Sequence, residues 1–154
     1  MQSEVIKLAS AKKLDDVLNA VAKCKGTVQL FDPSMVIGRK HLLGAYLNAQ
    51  LSFKEHMNIA KSMAMETLLF ASMKKQIKDA IPVIGAKSGK RFVVFADSEK
   101  SFKSITGMLI NVKEFSPTAA ESIKAAMHYS IKAKNAKELD VIVLQKMSIA
   151  RISD

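Results

Sequence analysis

Apolar residues recur with two different periods in the first half of the chain. Alternation over residues 4–9 predicts a short strand, and a second apolar run predicts another strand over residues 27–32. Between them, the spacing of a helix face occurs at Leu14, Val17, Leu18 and Val21. Gly26 is at the position of a C-terminal glycine cap for this helix. A second helix is predicted after Gly38, with its buried face at Leu42, Tyr46, Ala49 and Phe53.

The stretch over residues 59–84 is predicted to form two helices joined by a basic turn. The first follows Ser62, a suitable N-cap, and is apolar almost all round except for Glu66. The turn is Lys74-Lys75-Gln76. The second helix has an apolar stripe at Ile77, Ala80, Ile81 and Ile84. Pro82 lies inside it and predicts a kink or a short 3₁₀-like ending.

The rest of the chain combines one buried strand with several helices. Residues 92–96 are apolar on both faces and are therefore predicted to form a central strand. A helix is predicted to begin at Asp97 or Ser98, and a short edge strand is predicted over residues 111–115. Ser116-Pro117 predicts the start of the next helix, with core residues Ile123, Met127 and Ile131. A last helix follows Asn135, with its stripe at Leu139, Val143, Met147 and Ala150.

These elements predict an α/β (α+β) fold with a small mixed sheet wrapped by about seven helices. No linker or repeat interrupts the pattern, so residues 1–154 are expected to form a single compact domain.

Composition adds one constraint on function, the net charge of +10. Such an excess favours anionic partners, nucleic acid above all, although basic residues also serve solubility alone. The single Cys24 excludes an internal disulfide, and no apolar run has the length of a membrane span. The N-terminal residues lack the pattern of a secretion signal, so a cytoplasmic protein without membrane contact is expected.

The residues that could support catalysis do not form a recognisable constellation. The three histidines are scattered and lack zinc-ligand spacing. The glycine-containing run at residues 85–90 precedes a strand and does not open a helix, unlike a phosphate loop. Glu66 could serve as a general base in an apolar pocket, but a carboxylate paired with a helix N-terminus or a lysine is the favoured interpretation. We therefore expect a protein without enzymatic activity, metal or cofactor.

Three segments resemble the small kinase-binding accessory subunit of the KEOPS complex, in particular its archaeal members. The segments are the histidine-led helix at residues 38–45, the Ser-x-x-x-Glu-x-Leu-Leu helix at 62–69, and Gln-Ile-x-x-Ala before Ile-Gly at 76–85. Together they cover roughly the middle half of the chain. Two features depart from the family pattern, namely Pro82 and the basic pair Lys74-Lys75 in a turn that is usually small and polar.

The resemblance implies a compact α/β domain and a role without chemistry of its own. KEOPS installs the threonylcarbamoyl group on the adenosine beside the anticodon of ANN-decoding tRNAs. One partner performs the transfer, and a small atypical kinase acting as an ATPase supports it. The accessory subunit binds the kinase and, in archaeal members, the single-stranded CCA tail of the tRNA. ATP and metal belong to the partners.

Charge and resemblance together predict where RNA binds. Residues 74–91 contain six basic side chains and one acid, a net charge of +5. Two further cations begin the helix led by the family histidine, and a helix N-terminus attracts phosphate. The predicted RNA-binding residues are Arg39, Lys40, His41, Lys61, Lys74, Lys75 and Gln76.

Two alternatives stay open at this stage. The protein could be a pure adaptor or regulator of a kinase that never contacts RNA, or a small enzyme that uses Glu66 or His41. Individual residues of the kinase interface are not predicted; Met63, Phe70 and Met73 are apolar candidates, although the core is the expected place for most of them.

Overall fold

The computed structural model describes residues 3–152, which form four strands, seven α-helices and two short 3₁₀ helices. The strands are β1 (Val5–Ser10), β2 (Val28–Phe31), β3 (Phe92–Ala96) and β4 (Ile110–Glu114). The helices are α1 (Leu14–Lys23), α2 (Arg39–Lys54), α3 (Met63–Ser72), α4 (Ile77–Ile84), α5 (Glu99–Lys103), α6 (Ala119–Met127) and α7 (Ala136–Ile152). None of these helices is long and apolar enough to cross a membrane. The predicted α/β class is confirmed.

The four strands pair in the order β2-β3-β1-β4. Every pairing in the described sheet is antiparallel, so the mixed sheet expected from the sequence is in fact antiparallel. All five residues of β3 are buried, because apolar side chains on both faces suit an inner strand. The predictions of a central strand at residues 92–96 and an edge strand near residues 111–115 are both confirmed.

A bulge interrupts the pairing between β1 and β4. Leu8 pairs with Lys113 and Ser10 pairs with Ile110, so two residues of β4 lie opposite Ala9 alone. The first of the two, Asn111, has a left-handed backbone with φ of 54°. Asparagine adopts this conformation more readily than most residues, which explains why a bulge forms at this position.

The chain folds into two compact units. The sheet unit comprises the described residues up to Pro33 together with Gly85–Phe115, and the helical unit comprises Ser34–Ile84 with the described residues from Ser116 onward. The sheet unit has an apolar core formed by the sheet, α1 and the segment around α5. Each unit combines two separate parts of the chain, so neither is a continuous piece of sequence. The single domain over residues 1–154 stays a prediction.

Side-chain packing within the helical unit brings α2 close to α7. A Cβ atom at Gly44 would lie 2.3 Å from Leu144 Cδ2, so any other residue would force the Leu144 side chain to move. The helix α2 buries Leu42, Tyr46 and Ala49, as predicted, while Phe53 is half-buried.

Helix boundaries confirm some of the predicted caps and correct others. Ser62 and Ser98 accept hydrogen bonds from the first turns of α3 and α5, as N-caps do. The predicted start at Ser116-Pro117 is wrong, because Thr118 and Glu121 form a capping box that begins α6. The predicted cap at Gly26 is also wrong: Cys24 caps α1, and an added Cβ on Gly26 would meet Ser101 Oγ at 1.9 Å.

The 3₁₀-like ending predicted from Pro82 is not found. The helix α4 remains α-helical through Pro82 as far as Ile84. The helix α6 ends at Met127, so Ile131 lies beyond it and is nevertheless buried. Of the other two core residues predicted for α6, Ile123 is 38% exposed and Met127 is 64% exposed, so that part of the prediction is wrong.

Three helices end in the same way, each with a non-glycine residue in the left-handed conformation. His56, Met73 and Ser130 have φ values of 60°, 61° and 60° after α2, α3 and α6. Each end has the paired hydrogen bonds of a Schellman motif; after α2, His56 N–H donates to Phe53 O and Met57 N–H donates to Ser52 O. Glycine is the usual residue at this position because a Cβ atom is strained there.

We predict that His56→Gly raises the free energy of unfolding by about 0.5–1 kcal/mol, because it removes this strain at an exposed position. Urea denaturation of the variant and the parent measures the difference. His56→Ala keeps a Cβ atom and is the matched control, for which no gain is expected. A variant with glycine that is less stable than the parent would contradict the assignment of strain.

Candidate nucleic-acid interface

The N-terminal end of α2 presents two exposed cations. Gly38 occupies the N-cap and has no side chain to cap the first turn. Arg39 and Lys40 follow it, and both are exposed. The backbone amides at such an end and the helix dipole together favour a phosphate group.

His41 is next in α2 but is buried, with 2% of its surface exposed. Its Nδ1 accepts a hydrogen bond of 3.0 Å from Ile37 N–H, and its Nε2 lies 2.8 Å from Ala71 O. Since Nδ1 is the acceptor, Nε2 carries the proton and donates to that carbonyl. The ring also packs edge-on against Tyr129, at 5.5 Å between centroids. His41 therefore has no ring nitrogen available for an RNA base and instead joins the first turn of α2 to the last turn of α3.

Burial also decides the charge of this imidazole. Desolvation lowers the pKa of His41 from 6.5 to about 4, although the hydrogen bond to the Ala71 carbonyl acts in the opposite direction. The ring is neutral at physiological pH, as its two hydrogen bonds require.

The basic turn follows directly after α3. Met73 adopts the left-handed conformation, and the next residues are Lys74 (exposed), Lys75 (half-buried) and Gln76 (exposed). The carbonyl of Gln76 accepts from Asp79 N–H and Ala80 N–H and so opens α4. Because Ala71 is only three residues before Lys74, the His41–Ala71 hydrogen bond brings the start of α2 close to this turn.

Lys61 is separated from the other predicted residues. It precedes α3, whereas the basic turn follows it, and a ten-residue helix is about 15 Å long. The helices α2 and α3 run antiparallel, since Ser52 near the end of α2 contacts Glu66 near the start of α3. The start of α2, with Arg39 and Lys40, and the basic turn after α3 therefore lie at the same end of the helix pair, whereas Lys61 lies at the other end.

Lys40 at the start of α2 has a carboxylate neighbour. Lys40 Nζ is 3.5 Å from Asp140 Oδ2 on α7, and both side chains are substantially exposed. An exposed ion pair of this kind contributes about 0–1 kcal/mol, so a phosphate can displace the carboxylate at little cost.

The structure also reveals two apolar side chains that the sequence assigned to the core. The stripe predicted for α4 is buried at Ala80 and Ile84, but Ile77 and Ile81 are 36% and 49% exposed. Both follow the basic turn within the first five residues of α4. The polar residues on either side of Ile77, Gln76 and Lys78, were a signal for this exposure.

Glu66 is fully buried and is engaged by four donors. Its Oε1 accepts from Ile59 N–H and Ala60 N–H, and its Oε2 accepts from Ser52 Oγ and from Arg151 Nη1 at 2.8 Å. Burial raises the pKa of this carboxyl group, but the donors from Ala60, Arg151 and Ser52 and the charge of Arg151 outweigh it, and the pKa lies below its ordinary value. This arrangement favours a structural role for Glu66 over that of a general base.

The apolar residues considered for a protein interface are largely covered. Phe70 is buried, and the guanidinium carbon of Arg151 lies 4.0 Å from the centre of its ring. Met63 and Met73 are half-buried. Phe70 therefore belongs to the interior of the helical unit.

We predict that the free energy of unfolding falls by about 2 kcal/mol between pH 7 and pH 5 because of His41. The unfolded histidine binds a proton below pH 6.5, whereas the folded ring resists protonation down to about pH 4. The stabilisation is therefore complete above pH 6.5 and is lost as the pH falls. Urea denaturation at a series of pH values measures it.

Two variants serve as controls for this pH dependence. His128 is exposed, so His128→Gln should keep the fall in stability. His41→Gln cannot titrate and should lose it, whatever its absolute stability. A parent protein whose stability is flat between pH 7 and pH 5 would contradict a buried neutral ring.

Comparison with known proteins places the chain in a family. The family model described as "Kinase binding protein CGI-121" matches residues 6–151. A curated protein from Methanocaldococcus jannaschii, named "Regulatory protein Cgi121", is 39% identical over 77 residues. That alignment covers 50% of this chain and 50% of the relative, so the chain matches about half of the relative's length. The resemblance to a kinase-binding subunit family is confirmed, and the chain belongs to the CGI-121 family of kinase-binding proteins.

Proposed function

We propose that this protein is the non-catalytic accessory subunit of the KEOPS tRNA-modification complex. In this role it binds the small atypical kinase and recruits tRNA through its single-stranded CCA tail. Membership of a kinase-binding family supports the first part of the proposal. The second part depends on the cationic residues described above.

We call the RNA-binding surface the cationic corner and define it as Arg39, Lys40, Lys74, Lys75 and Gln76. The observation that carries the proposal is the hydrogen bond between His41 and Ala71, which holds the start of α2 beside the end of α3. Arg39 and Lys40 lie at the start of α2, and Lys74 and Lys75 follow the end of α3. The hydrogen bond joins these two helix ends. His41 acts here as a positioning residue and not as a contact to RNA.

Electrostatics makes a strand of RNA a suitable ligand for this corner. A single-stranded tail carries one phosphate per nucleotide and requires a basic track along its backbone. Arg39 and Lys40 add their charge to the positive end of the α2 dipole, and Lys74 and Lys75 continue the positive surface. The weak pair between Lys40 and Asp140 can open when a phosphate arrives.

Unpaired bases also need a surface on which to stack. The protein has no Trp and only 6% aromatic residues, so aromatic platforms are scarce. The exposed Ile77 and Ile81 lie directly after the basic turn and offer an apolar surface to a base. We propose that they take the place of the aromatic residues common in such sites.

The protein itself supplies no catalytic group in this proposal. Glu66 is committed to Arg151 and three other donors, and His41 is committed to two backbone groups. ATP, metal and the transfer reaction accordingly belong to the partner subunits. The accessory subunit contributes binding and positioning of the RNA.

We predict that Lys74→Glu with Lys75→Glu weakens tRNA binding by at least about tenfold. Each phosphate contact to single-stranded RNA adds about 0.7 to the slope of log affinity against log salt, so the slope should fall by about 1.4. Gel shifts of the purified protein with tRNA at several salt concentrations measure both quantities. Trimming of the CCA end should weaken parent binding to a similar extent.

The matched control is Lys23→Glu with Lys25→Glu, which makes the same change in charge at exposed positions of the sheet unit. Affinity that falls equally in both double variants would indicate a general charge effect and contradict a specific corner. Kinase binding without any CCA-dependent tRNA binding would select the adaptor alternative, in which the protein regulates a kinase and does not contact RNA.

We further predict that Ile77→Ser with Ile81→Ser weakens CCA-dependent binding by about 1 kcal/mol while the salt slope stays unchanged, because apolar contacts to bases contribute no counterion release. The same gel shifts measure this. The double variant replaces two exposed side chains, so circular dichroism should confirm an intact fold. Unchanged affinity would remove these residues from the site.

A further inference from the structure

An open cleft of about 500 Å³ lies in the sheet unit, at the bulge between β1 and β4. It is lined by Leu8, Ala9, Ser10, Lys90, Arg91, Asn111, Val112 and Lys113. Three neighbouring strands meet here, because Lys90 and Arg91 directly precede β3, which pairs with β1. The volume falls within the range of sites for small molecules, about 300–1,000 Å³.

The charge of this cleft is entirely positive. Three of its eight lining residues are cations and none is an acid. Lys90, Arg91 and Lys113 are exposed, and within residues 3–152 none of their side chains has an ion-pair partner. The nearby carboxylates are already engaged, since Lys7 binds Glu114 and Lys87 binds Asp32.

The bulge explains why the cleft exists at this point. Asn111 and Val112 together face Ala9, so one residue of β4 lies outside the regular ladder and the strand bends. Two neutral polar side chains, Ser10 and Asn111, accompany the cations along the lining. Ser10 Oγ already donates to Ile110 O, whereas the carboxamide of Asn111 can donate to a ligand.

From this arrangement we propose that the cleft binds the phosphate group of a nucleotide, either free or within an RNA strand. A phosphate carries more charge and more acceptor oxygens than a carboxylate, and one Arg with two Lys and an amide suits it. The volume also leaves room for the attached sugar or base. The RNA source rests on the proposed function above, whereas a free nucleotide does not.

The test is an NMR titration of the full-length, ¹⁵N-labelled chain with three probes: inorganic phosphate, adenosine 5′-monophosphate and the RNA trinucleotide CCA. We expect the nucleotide probes to shift the amide signals of Arg91, Asn111 and Lys113. Arg91→Gln with Lys113→Gln should weaken binding at least about tenfold, in line with two lost charge-assisted hydrogen bonds. Lys100→Gln with Lys103→Gln, which alters two exposed cations on α5, is the matched control and should leave binding unchanged.

A second variant tests the same cleft in case the Arg91→Gln, Lys113→Gln double variant disturbs the sheet. Asn111→Gly permits the same left-handed backbone and removes the side chain with its carboxamide, and should weaken binding by roughly threefold. The proposal is overturned when no probe shifts the cleft amides, or when inorganic phosphate alone does so. Shifts with the mononucleotide but not with CCA identify a free nucleotide, and the reverse identifies RNA.

The outcomes for the two sites can be told apart. The cleft belongs to the sheet unit and the cationic corner to the helical unit, so each is altered by its own variants. A parent protein that fails to bind tRNA while the mononucleotide shifts the cleft amides refutes the proposed function alone. CCA-dependent binding that depends on Lys74 and Lys75, with the cleft amides unmoved by every probe, refutes the cleft alone.

Discussion

The helical unit depends on one buried imidazole that must stay neutral. His41 accepts from Ile37 N–H and donates to Ala71 O, and only a neutral ring with its proton on Nε2 can do both. Loss of the ring would leave two buried backbone groups without partners, each at about 1–3 kcal/mol. Because this histidine lies in the first turn of α2 and holds the last turn of α3, the positions of the cations beside it follow from its hydrogen bonds.

The opposite end of the same helix pair is held by a second buried polar group. Glu66 combines two backbone amides, Ser52 and Arg151, so a charge that would be expensive in isolation is fully satisfied. Apolar side chains alone could slide past one another, whereas directional hydrogen bonds specify one register. Polar networks at both ends thus orient α2 against α3, and the lysines of the basic turn lie outside them.

The basic residues at 74–91 are divided between the two units of the fold. The sequence groups six cations as one feature, but Lys74, Lys75 and Lys78 belong to the helical unit, and Lys87, Lys90 and Arg91 belong to the sheet unit. Lys87 is paired with Asp32, and Lys90 and Arg91 line the cleft at the bulge. One basic stretch therefore supplies cations to a surface in each unit, and the third cation of the cleft, Lys113, comes from β4, more than 20 residues later in the sequence.

The sequence by itself determined the type and order of the elements, the central place of β3 and the caps at Ser62 and Ser98, since hydrophobic period and capping are properties of neighbouring residues. Local motifs also indicated the family. Only the tertiary structure decided that His41 is buried, that Lys61 is remote from the basic turn, and that Ile77 and Ile81 are exposed. It likewise decided that the partner of Glu66 is Arg151, 85 residues away. The physical reason is that covering a helix face and pairing a buried charge depend on segments far apart in the chain, which no local pattern specifies.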